Sequence, residues 1–290
     1  ETLVELAMQH RDAKAKVLIY VRSPEDAGKV IKSLEKKIGE DANNRTALLT
    51  GTLRGHERDK LVEESPVYRD FLNAAASVEH TAWLVSTAAG EVGIDLDADH
   101  MVCDLTTLDS MIQRLGRVNR RGGQGKVARV DVVLTAADAD KEDKQFKAAL
   151  EETQSILEEW VEQSGGALNV SPRNLRNLLD KLAPERREKA FAPKPTVPPL
   201  TDILLDSWSL TSISRTMPGR PEVAPYLHGL TKDPPETYVV WRKEVMLLAE
   251  AEVNAAAVSE WFQACRIEAH ERLRDRTDRV QQTLRELLTK

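Results

Sequence analysis

Short apolar runs alternate with amphipathic segments over residues 1–140, and this alternation limits the fold more than any other feature. Residues 17–21 are apolar throughout, as expected for a strand buried on both faces. Ser23 and Pro24 follow as the N-cap and first residue of a helix whose apolar positions keep helical spacing. A strand followed by a crossover helix is typical of a parallel sheet, so residues 1–140 are predicted to form an α/β domain.

The same patterns predict the remaining elements. Strands are expected at 47–49, 82–85, 101–103 and 127–134, with a short helix between the last two. Beyond the α/β domain, residues 141–183 are predicted to be a helical extension. Prolines then interrupt regular structure, which predicts a linker at 184–199. Residues 200–290 are predicted to be a mainly helical accessory region, with a strand at 237–241 and a charged helix over 256–288.

Composition and charge exclude several classes of protein. No run of about eighteen or more apolar residues occurs, so no membrane-spanning helix is expected. Cys103 and Cys265 cannot form a disulfide framework, which favours a reducing cytoplasm, and Cys103 is expected to be a buried, inert thiol. The net charge of −6 argues against nucleic-acid binding through bulk positive charge. Any such contact therefore requires a local basic patch or backbone amides.

The most specific motif is Gln113-Arg114-Leu115-Gly116-Arg117-Val118-Asn119-Arg120. Arg117 and Arg120 are three positions apart, so on a helix or a tight turn both guanidiniums project the same way. A polyphosphate suits such a pair, because a guanidinium is always charged and meets phosphate oxygens with two hydrogen bonds. Gly116 allows close approach of the backbone. The motif therefore predicts a polyphosphate contact.

A second motif, residues 86–95, directly follows the predicted strand at 82–85. This is the edge where α/β sheets bind ligands, and its small residues and glycines expose backbone N–H groups to phosphate. Asp95 is suited to accept a hydrogen bond from a ribose hydroxyl. Gly90 and Gly93 are equally consistent with simple turn formation.

A third motif, residues 49–58, also lies where a strand ends and a helix begins. Exposed amides, hydroxyl groups and the guanidinium of Arg54 would suit the phosphates of a nucleic-acid backbone. Taken alone, this motif is the least specific of the three.

These motifs occur in the order and spacing of the C-terminal motifs of superfamily 2 helicases, which the chain resembles over roughly residues 15–135. The resemblance implies a RecA-like parallel sheet with flanking helices, the second half of a helicase motor. It also implies roles for nine residues. Arg117 and Arg120 would be arginine fingers toward the ATP γ-phosphate; Gly93, Asp95 and Gln113 would contact the nucleotide; Thr50, Gly51, Arg54 and Thr87 would contact the nucleic acid.

Within that superfamily the chain is similar to the CRISPR-associated helicase–nuclease of type I systems. Asn119 stands between the two arginines, and a basic loop ending at Gly122 follows them. The segment 218–242 is similar to the subtype whose nuclease domain lies C-terminal to the helicase. The resemblance implies single-stranded DNA, a first RecA-like domain, a nuclease domain and an RNA-guided effector complex as partners, and ATP with Mg²⁺ as cofactors.

Several motifs that a complete motor needs do not occur in this sequence. Neither Gly28-Lys29 nor Gly125-Lys126 is followed by Ser or Thr, so no phosphate-binding loop is expected. The sequence contains no Asp-Glu pair to hold Mg²⁺ and no His-Asp pair for nuclease metals. No metal-binding residue is therefore predicted. The chain alone is expected to be inactive, with ATP and Mg²⁺ held mainly by the first RecA-like domain of a longer protein.

Three functions remain open at this point. The first is the motor half of a type I CRISPR helicase–nuclease acting on single-stranded DNA. The second is a motor domain of another superfamily 2 enzyme, such as an RNA helicase or a repair translocase. The third is a RecA-like interaction module without enzymatic activity, against which the presence of both arginines with Gly93 and Asp95 argues. Trp208 and Trp241 are expected to pack in a core rather than stack on bases.

Overall fold

A computed structural model describes residues 1–51, 53, 55–91, 93–122, 127–134, 144–212, 219–229, 235–242 and 255–289. Five parallel strands form its central sheet: β1 (Lys16–Tyr20), β2 (Thr46–Leu49), β3 (Ala82–Ser86), β4 (His100–Asp104) and β5 (Val130–Val133). Their order is β2-β3-β1-β4-β5. The helices of this part are α1 (Thr2–Met8), α2 (Pro24–Ile38), α3 (Ala42–Arg45), α4 (Gly55–Glu64), α5 (Pro66–Leu72) and α6 (Leu108–Leu115). The predicted α/β class, with a parallel sheet and flanking helices, is confirmed.

The central strand β1 shows why its sequence is apolar throughout. Leu18 and Tyr20 point into the core cluster that α5 and α6 complete, while Val17 and Ile19 point into the cluster that α1 and α2 complete. Successive side chains of a strand face opposite sides, so a strand covered on both faces has no polar face.

Helix α2 begins as its sequence predicts. The Ser23 side chain accepts a hydrogen bond from the Asp26 amide at 3.0 Å, and Pro24 is the first helical residue. Ala27 and Leu34 are fully buried on the face that packs against the sheet. The crossover from β1 is therefore fixed locally as well as by packing.

The strand register places several loops at one edge of the sheet. Leu49 of β2 and Tyr20 of β1 both pair with Ser86, the last residue of β3. Tyr20 also pairs with Cys103, next to the last residue of β4. Four neighbouring strands therefore end almost level, and the loops that follow them meet at this carboxyl edge.

Three helices after the sheet pack on α6. They are α7 (Lys144–Gln163), α8 (Pro172–Lys181) and α9 (Pro184–Ala190), and their shared core contains Leu108, Ile156, Trp160, Leu175 and Ala190. The prediction that 184–199 lacks regular structure is wrong for its first half. Pro184 occupies the first helical position, where the missing N–H costs nothing, and it begins α9. Residues 193–199 contain no helix or strand.

The prediction of one charged helix over 256–288 is wrong. The elements beyond residue 200 are α10 (Asp202–Ser209), α11 (Ala224–His228), β6 (Glu236–Val240), α12 (Ala255–Ala264), a 3₁₀ helix (Ala269–Glu271), β7 (Arg272–Arg276) and α13 (Thr277–Leu288). Residues 272–276 alternate exposed and half-buried positions and pair with β6. Arg272 and Arg276 therefore lie on a strand and not on a helix face. The strand predicted at 237–241 is confirmed as β6.

The chain forms two compact units. One consists of residues 1–192 with 237–275, and the other of residues 193–236 with 276–290. The domain boundaries predicted after residues 140, 183 and 199 stay a prediction.

Neither a membrane span nor a metal cluster is present in the described part of the chain. None of its helices combines the length and the apolar character needed to cross a bilayer. Within the same residues, no three His, Cys, Asp or Glu side chains are grouped to hold a metal ion.

Candidate functional site

Thr50 and Thr87 lie together at the carboxyl edge of the sheet. They follow the paired strands β2 and β3, and the Thr87 amide donates to the Leu49 carbonyl at 3.2 Å. Both threonines are buried, at 4% and 5% exposure. Gly51 is exposed, with open space where a Cβ would stand. The structure thus brings together three of the four predicted nucleic-acid contacts, and Arg54 lies outside the described residues.

A 3₁₀ helix, Ala88–Gly90, continues directly from Thr87 and is tightly packed. The Tyr20 hydroxyl donates to the Gly90 carbonyl at 2.7 Å. A Cβ at Gly90 would meet Ser86 Oγ and would lie 3.2 Å from both Tyr20 Oη and Leu96 Cδ1. Glycine is therefore required here by close approach, which goes beyond simple turn formation.

Glu91 follows this turn and connects it to α6. Its carboxylate accepts hydrogen bonds from Arg114 Nε at 2.7 Å and from Ser110 Oγ at 3.1 Å. Its backbone carbonyl accepts from Arg117, at 3.2 Å from Nε and 2.5 Å from Nη2. One residue therefore holds two arginines of the Gln113–Arg120 motif through two different groups.

Arg114 is a buried charge between two carboxylates. Only 2% of its side chain is exposed, and Nη1 donates to both the carboxylate and the carbonyl of Asp104 at 2.9 Å. Burial alone would lower the pKa of Arg114, but nearby Cys103, Asp104 and Glu91 together raise it. The guanidinium also lies over the Tyr20 ring, 5.1 Å from its centroid. The charge is thus fully compensated inside the protein.

Burial also sets the chemistry of two groups beside Arg114. It raises the pKa of the Cys103 thiol to about 12, so the prediction of an inert, buried cysteine is confirmed. It likewise raises the pKa of the Tyr20 hydroxyl, and the Glu91 carboxylate adds to the effect. Tyr20 therefore stays neutral and acts as a hydrogen-bond donor.

Arg117 and Arg120 contact the segment between β3 and β4 at two different residues. Arg117 binds the Glu91 carbonyl, and the Arg120 guanidinium forms an ion pair with the Asp95 carboxylate. The Arg120 and Asp95 side chains are 45% and 73% exposed, so this pair is open to solvent. Gly93 lies between the two contacts with a φ of +83°, a conformation that favours glycine. Gln113 is exposed on α6.

The backbone holds both arginines in register with this loop. Ala98 and Val118 form a parallel bridge, in which the Ala98 amide donates to the Arg117 carbonyl at 2.9 Å. The Asn119 amide donates to the Ala98 carbonyl at 2.7 Å, and Asn119 has a left-handed φ of +45°. The chain thus turns between Arg117 and Arg120, and both side chains stay close to residues 91–97.

Sequence reasoning missed Arg114, Glu91 and Asp104 as site residues. A signal for Arg114 was present, because it stands three residues after Met111 on the face of α6 that the apolar spacing predicts to be buried. A charged residue on a buried face requires a charged partner. The identity of those partners depends on the sheet register, which the sequence alone does not give.

Trp241 does not pack in a core, contrary to prediction. It is 54% exposed and lines a shallow cavity of about 210 Å³ with His56, His270 and Glu271. The Glu271 carboxylate is paired with Arg242, at 2.5 Å from Nη2. Trp208 is partly buried, and its Nε1 donates to the Pro221 carbonyl at 2.9 Å.

Comparison with known proteins finds similarity over part of the chain. Residues 13–123 match the family model described as the C-terminal part of the CRISPR-associated nuclease/helicase Cas3. A putative CRISPR-associated nuclease/helicase Cas3 from Myxococcus xanthus (strain DK1622) is 36% identical over 66 residues. That match covers 23% of this chain and only 9% of the relative's length.

Solved structures show the same fold at low sequence identity. The crystal structure of a CRISPR-associated protein superposes with a TM-score of 0.51 and 19% identity, covering 82% of this chain and 29% of that one. T. fusca Cas3 with AMPPNP gives a TM-score of 0.48 and 20% identity, covering 62% of this chain and 21% of that one. The first of these two superpositions, together with the parallel sheet and its flanking helices, confirms the predicted RecA-like fold.

Proposed function

We propose that this chain is one half of an ATP-dependent motor. The premise is that residues 13–123 carry the C-terminal RecA-like domain of a superfamily 2 helicase similar to the Cas3 family. The motor moves along single-stranded DNA in type I CRISPR antiviral interference, in the cytoplasm. One observation carries this proposal. Arg117 and Arg120 contact the segment that leads from the carboxyl end of β3 to β4, Arg117 at the Glu91 carbonyl and Arg120 at the Asp95 carboxylate, with Gly93 between the two contacts.

The arginine side of the site suits the phosphates of ATP. Arg117 is half-buried on a neutral carbonyl, and Arg120 is exposed in a pair that water already screens. Both guanidiniums can therefore exchange their present partners for phosphate oxygens without breaking a buried ion pair. In the transition state they would stabilise the charge that develops on the transferred phosphoryl group.

Mg²⁺ does not fit the described residues of this chain. The Asp95 and Asp104 carboxylates are already engaged by Arg120 and Arg114. No group of three ligands is formed anywhere in the described residues. We therefore assign Mg²⁺ and the remaining ATP contacts to a first RecA-like domain, which would close on Arg117 and Arg120 as the motor turns over.

The nucleic-acid contacts belong at the other end of the same loop. Thr50 and Gly51 follow β2, and Thr87 follows the neighbouring strand β3. The segment 88–91 leads from Thr87 to the Glu91 carbonyl, which accepts the hydrogen bonds of Arg117. Backbone amides and hydroxyls bind phosphates without reading sequence, as a translocating motor requires. The net charge of −6 agrees with local contacts of this kind. The nuclease domain and the RNA-guided effector complex are further proposed partners.

ATP turnover of the full-length protein tests this proposal. It is measured with no nucleic acid, with single-stranded DNA and with single-stranded RNA of matched length. Stimulation by DNA above RNA is expected. Stimulation by RNA alone would favour another superfamily 2 motor, and no turnover under any condition would favour a non-enzymatic interaction module.

A further inference from the structure

Arg114 connects the loop after β3 to the last residue of β4. Its Nε binds the Glu91 carboxylate in the loop after β3, and its Nη1 binds Asp104 at the end of β4. All three side chains are at most 8% exposed, so water does not screen the pairs. The position of Glu91 relative to α6 is therefore fixed by a forked guanidinium and not by the loop backbone alone.

Glu91, held in this way, also binds Arg117. The carboxylate is held by Arg114 and Ser110, while the carbonyl of the same residue receives both Nε and Nη2 of Arg117. Because the carboxylate and the carbonyl belong to one residue, displacement of the Glu91 side chain is expected to displace the carbonyl that accepts from Arg117. The other carboxylate, Asp104, has no such link and is anchored instead to the Arg22 amide at 2.8 Å.

The chain between Thr87 and Glu91 is short and stiff. The Gly90 amide donates to the Thr87 carbonyl at 2.9 Å and the Glu91 amide to the Ala88 carbonyl at 3.0 Å. Gly90 is fixed from the outside by the Tyr20 hydroxyl. Movement of Thr87 on contact with a strand therefore reaches Glu91 as movement of a packed turn.

We propose that Arg114 and Glu91 form a positioning pair, which sets the Arg117 guanidinium according to whether nucleic acid occupies the Thr50–Thr87 edge. The pair rests on the proposed function, since it acts through Arg117 on ATP turnover. The pair contacts neither ATP nor nucleic acid, and it acts by setting the position of the Arg117 guanidinium. Loss of the pair lowers the DNA-stimulated rate at saturating ATP, with less effect on the KM for ATP.

Two isosteric substitutions separate positioning from mere stability. Glu91→Gln and Asp104→Asn each remove one buried carboxylate charge from Arg114, but only Glu91 contacts Arg117. In the full-length protein, kcat and KM for ATP are measured with and without single-stranded DNA, together with Tm. We expect similar losses of Tm, with DNA-stimulated kcat reduced on the order of 10- to 100-fold for Glu91→Gln and much less for Asp104→Asn.

The outcomes are distinguishable from failure of the proposed function. Equal losses of kcat in the two variants would overturn the pair while leaving the motor intact. A wild-type protein without ATP turnover would overturn the motor and the pair with it. If Glu91→Gln does not fold, Arg114→Lys keeps the charge but cannot span both carboxylates, and unchanged DNA stimulation in that variant would overturn the pair.

Discussion

Charged side chains lie in different environments in the sheet domain, taken here with its packed helices as residues 1–192, and in the region beyond residue 200. In the sheet domain Arg114 is almost fully buried between two carboxylates, and every buried hydrophobic residue described lies between Val4 and Ala190. In the later region Arg276 and Asp278 pair with 47% and 61% of their side chains exposed. Helices α10 and α13 bury no residue. Single substitutions should therefore act strongly in the first region and weakly in the second.

The largest effect is expected for Arg117→Ala on ATP turnover. An arginine finger accounts for about 10³–10⁵ in the rate of related phosphoryl-transfer enzymes, so kcat of the full-length protein should fall by at least about 10³-fold. Tm should change little, because Arg117 binds one carbonyl at a half-buried position. Arg176→Ala, which removes an exposed arginine of α8, is the matched control and should keep the wild-type rate. Comparable rates in the two variants would contradict the finger assignment.

The next effect is on stability, for Arg114→Met. The substitution leaves Glu91 and Asp104 as buried carboxylates without their cation, which costs about 3–5 kcal/mol of unfolding free energy. Chemical denaturation with Arg176→Met as the exposed control measures the difference. A loss below about 1 kcal/mol would show that water reaches the network.

Two glycine substitutions sharpen the comparison inside the sheet domain. Gly90→Ala brings a Cβ against Ser86, Leu96 and Tyr20, so the unfolding free energy should fall by about 1–3 kcal/mol. Gly28→Ala places its Cβ in open space within α2 and should stabilise by about 0.5–1 kcal/mol. Denaturation midpoints of both variants give the result. Two shifts of the same sign would contradict the packing described at Gly90.

A smaller effect is expected on acidification, through His10 and His100. Their rings stack at 4.3 Å, and burial is the main cause that lowers both pKa values below 6.5. The unfolded chain then binds more protons than the folded one, so stability is lost as pH falls through 6.5 toward the folded pKa. Tm measured from pH 8 to 5 should decline more steeply for wild type than for His10→Phe, which keeps a stacked ring. Parallel curves would exclude His10 as a source of the decline.

The smallest effect is expected beyond residue 200, for Asp278→Ala. The substitution removes an exposed ion pair between Asp278 in the first turn of α13 and Arg276 at the end of β7, where solvent already screens the charges. Tm and ATP turnover of the full-length protein should both stay within error of wild type. A loss of stability approaching that of Arg114→Met would show that the later region contributes more to folding than its exposure indicates.

The same contrast explains how far the sequence predicts the structure. In the sheet domain, strand β1 and helix α2 follow from apolar runs, helical spacing and the Ser23-Pro24 cap, which are local signals. Beyond residue 200 the spacing of charged residues was mistaken for a helix. Residues 272–276 form a strand because they pair with β6, and pairing with a distant segment leaves little local trace.

The candidate site could likewise be predicted only where its residues form local motifs. Arg117, Arg120, Gly93 and Asp95 form recognisable motifs, and the structure brings them to one loop. Their predicted roles toward ATP stay a prediction. The network around Arg114 escaped detection because its carboxylates are 23 and 10 positions away in sequence. Only the order and register of the parallel strands place them together.

ATP-driven movement of the full-length protein along single-stranded DNA tests the central claim most directly. The measurement follows displacement of a bound obstacle from one end of the strand, for wild type and for the Arg117→Ala and Arg176→Ala variants. We predict displacement that requires ATP, is lost in Arg117→Ala and is retained in Arg176→Ala. Binding of DNA without ATP-dependent displacement, or displacement unaffected by Arg117→Ala, would contradict the account of this chain as a motor half.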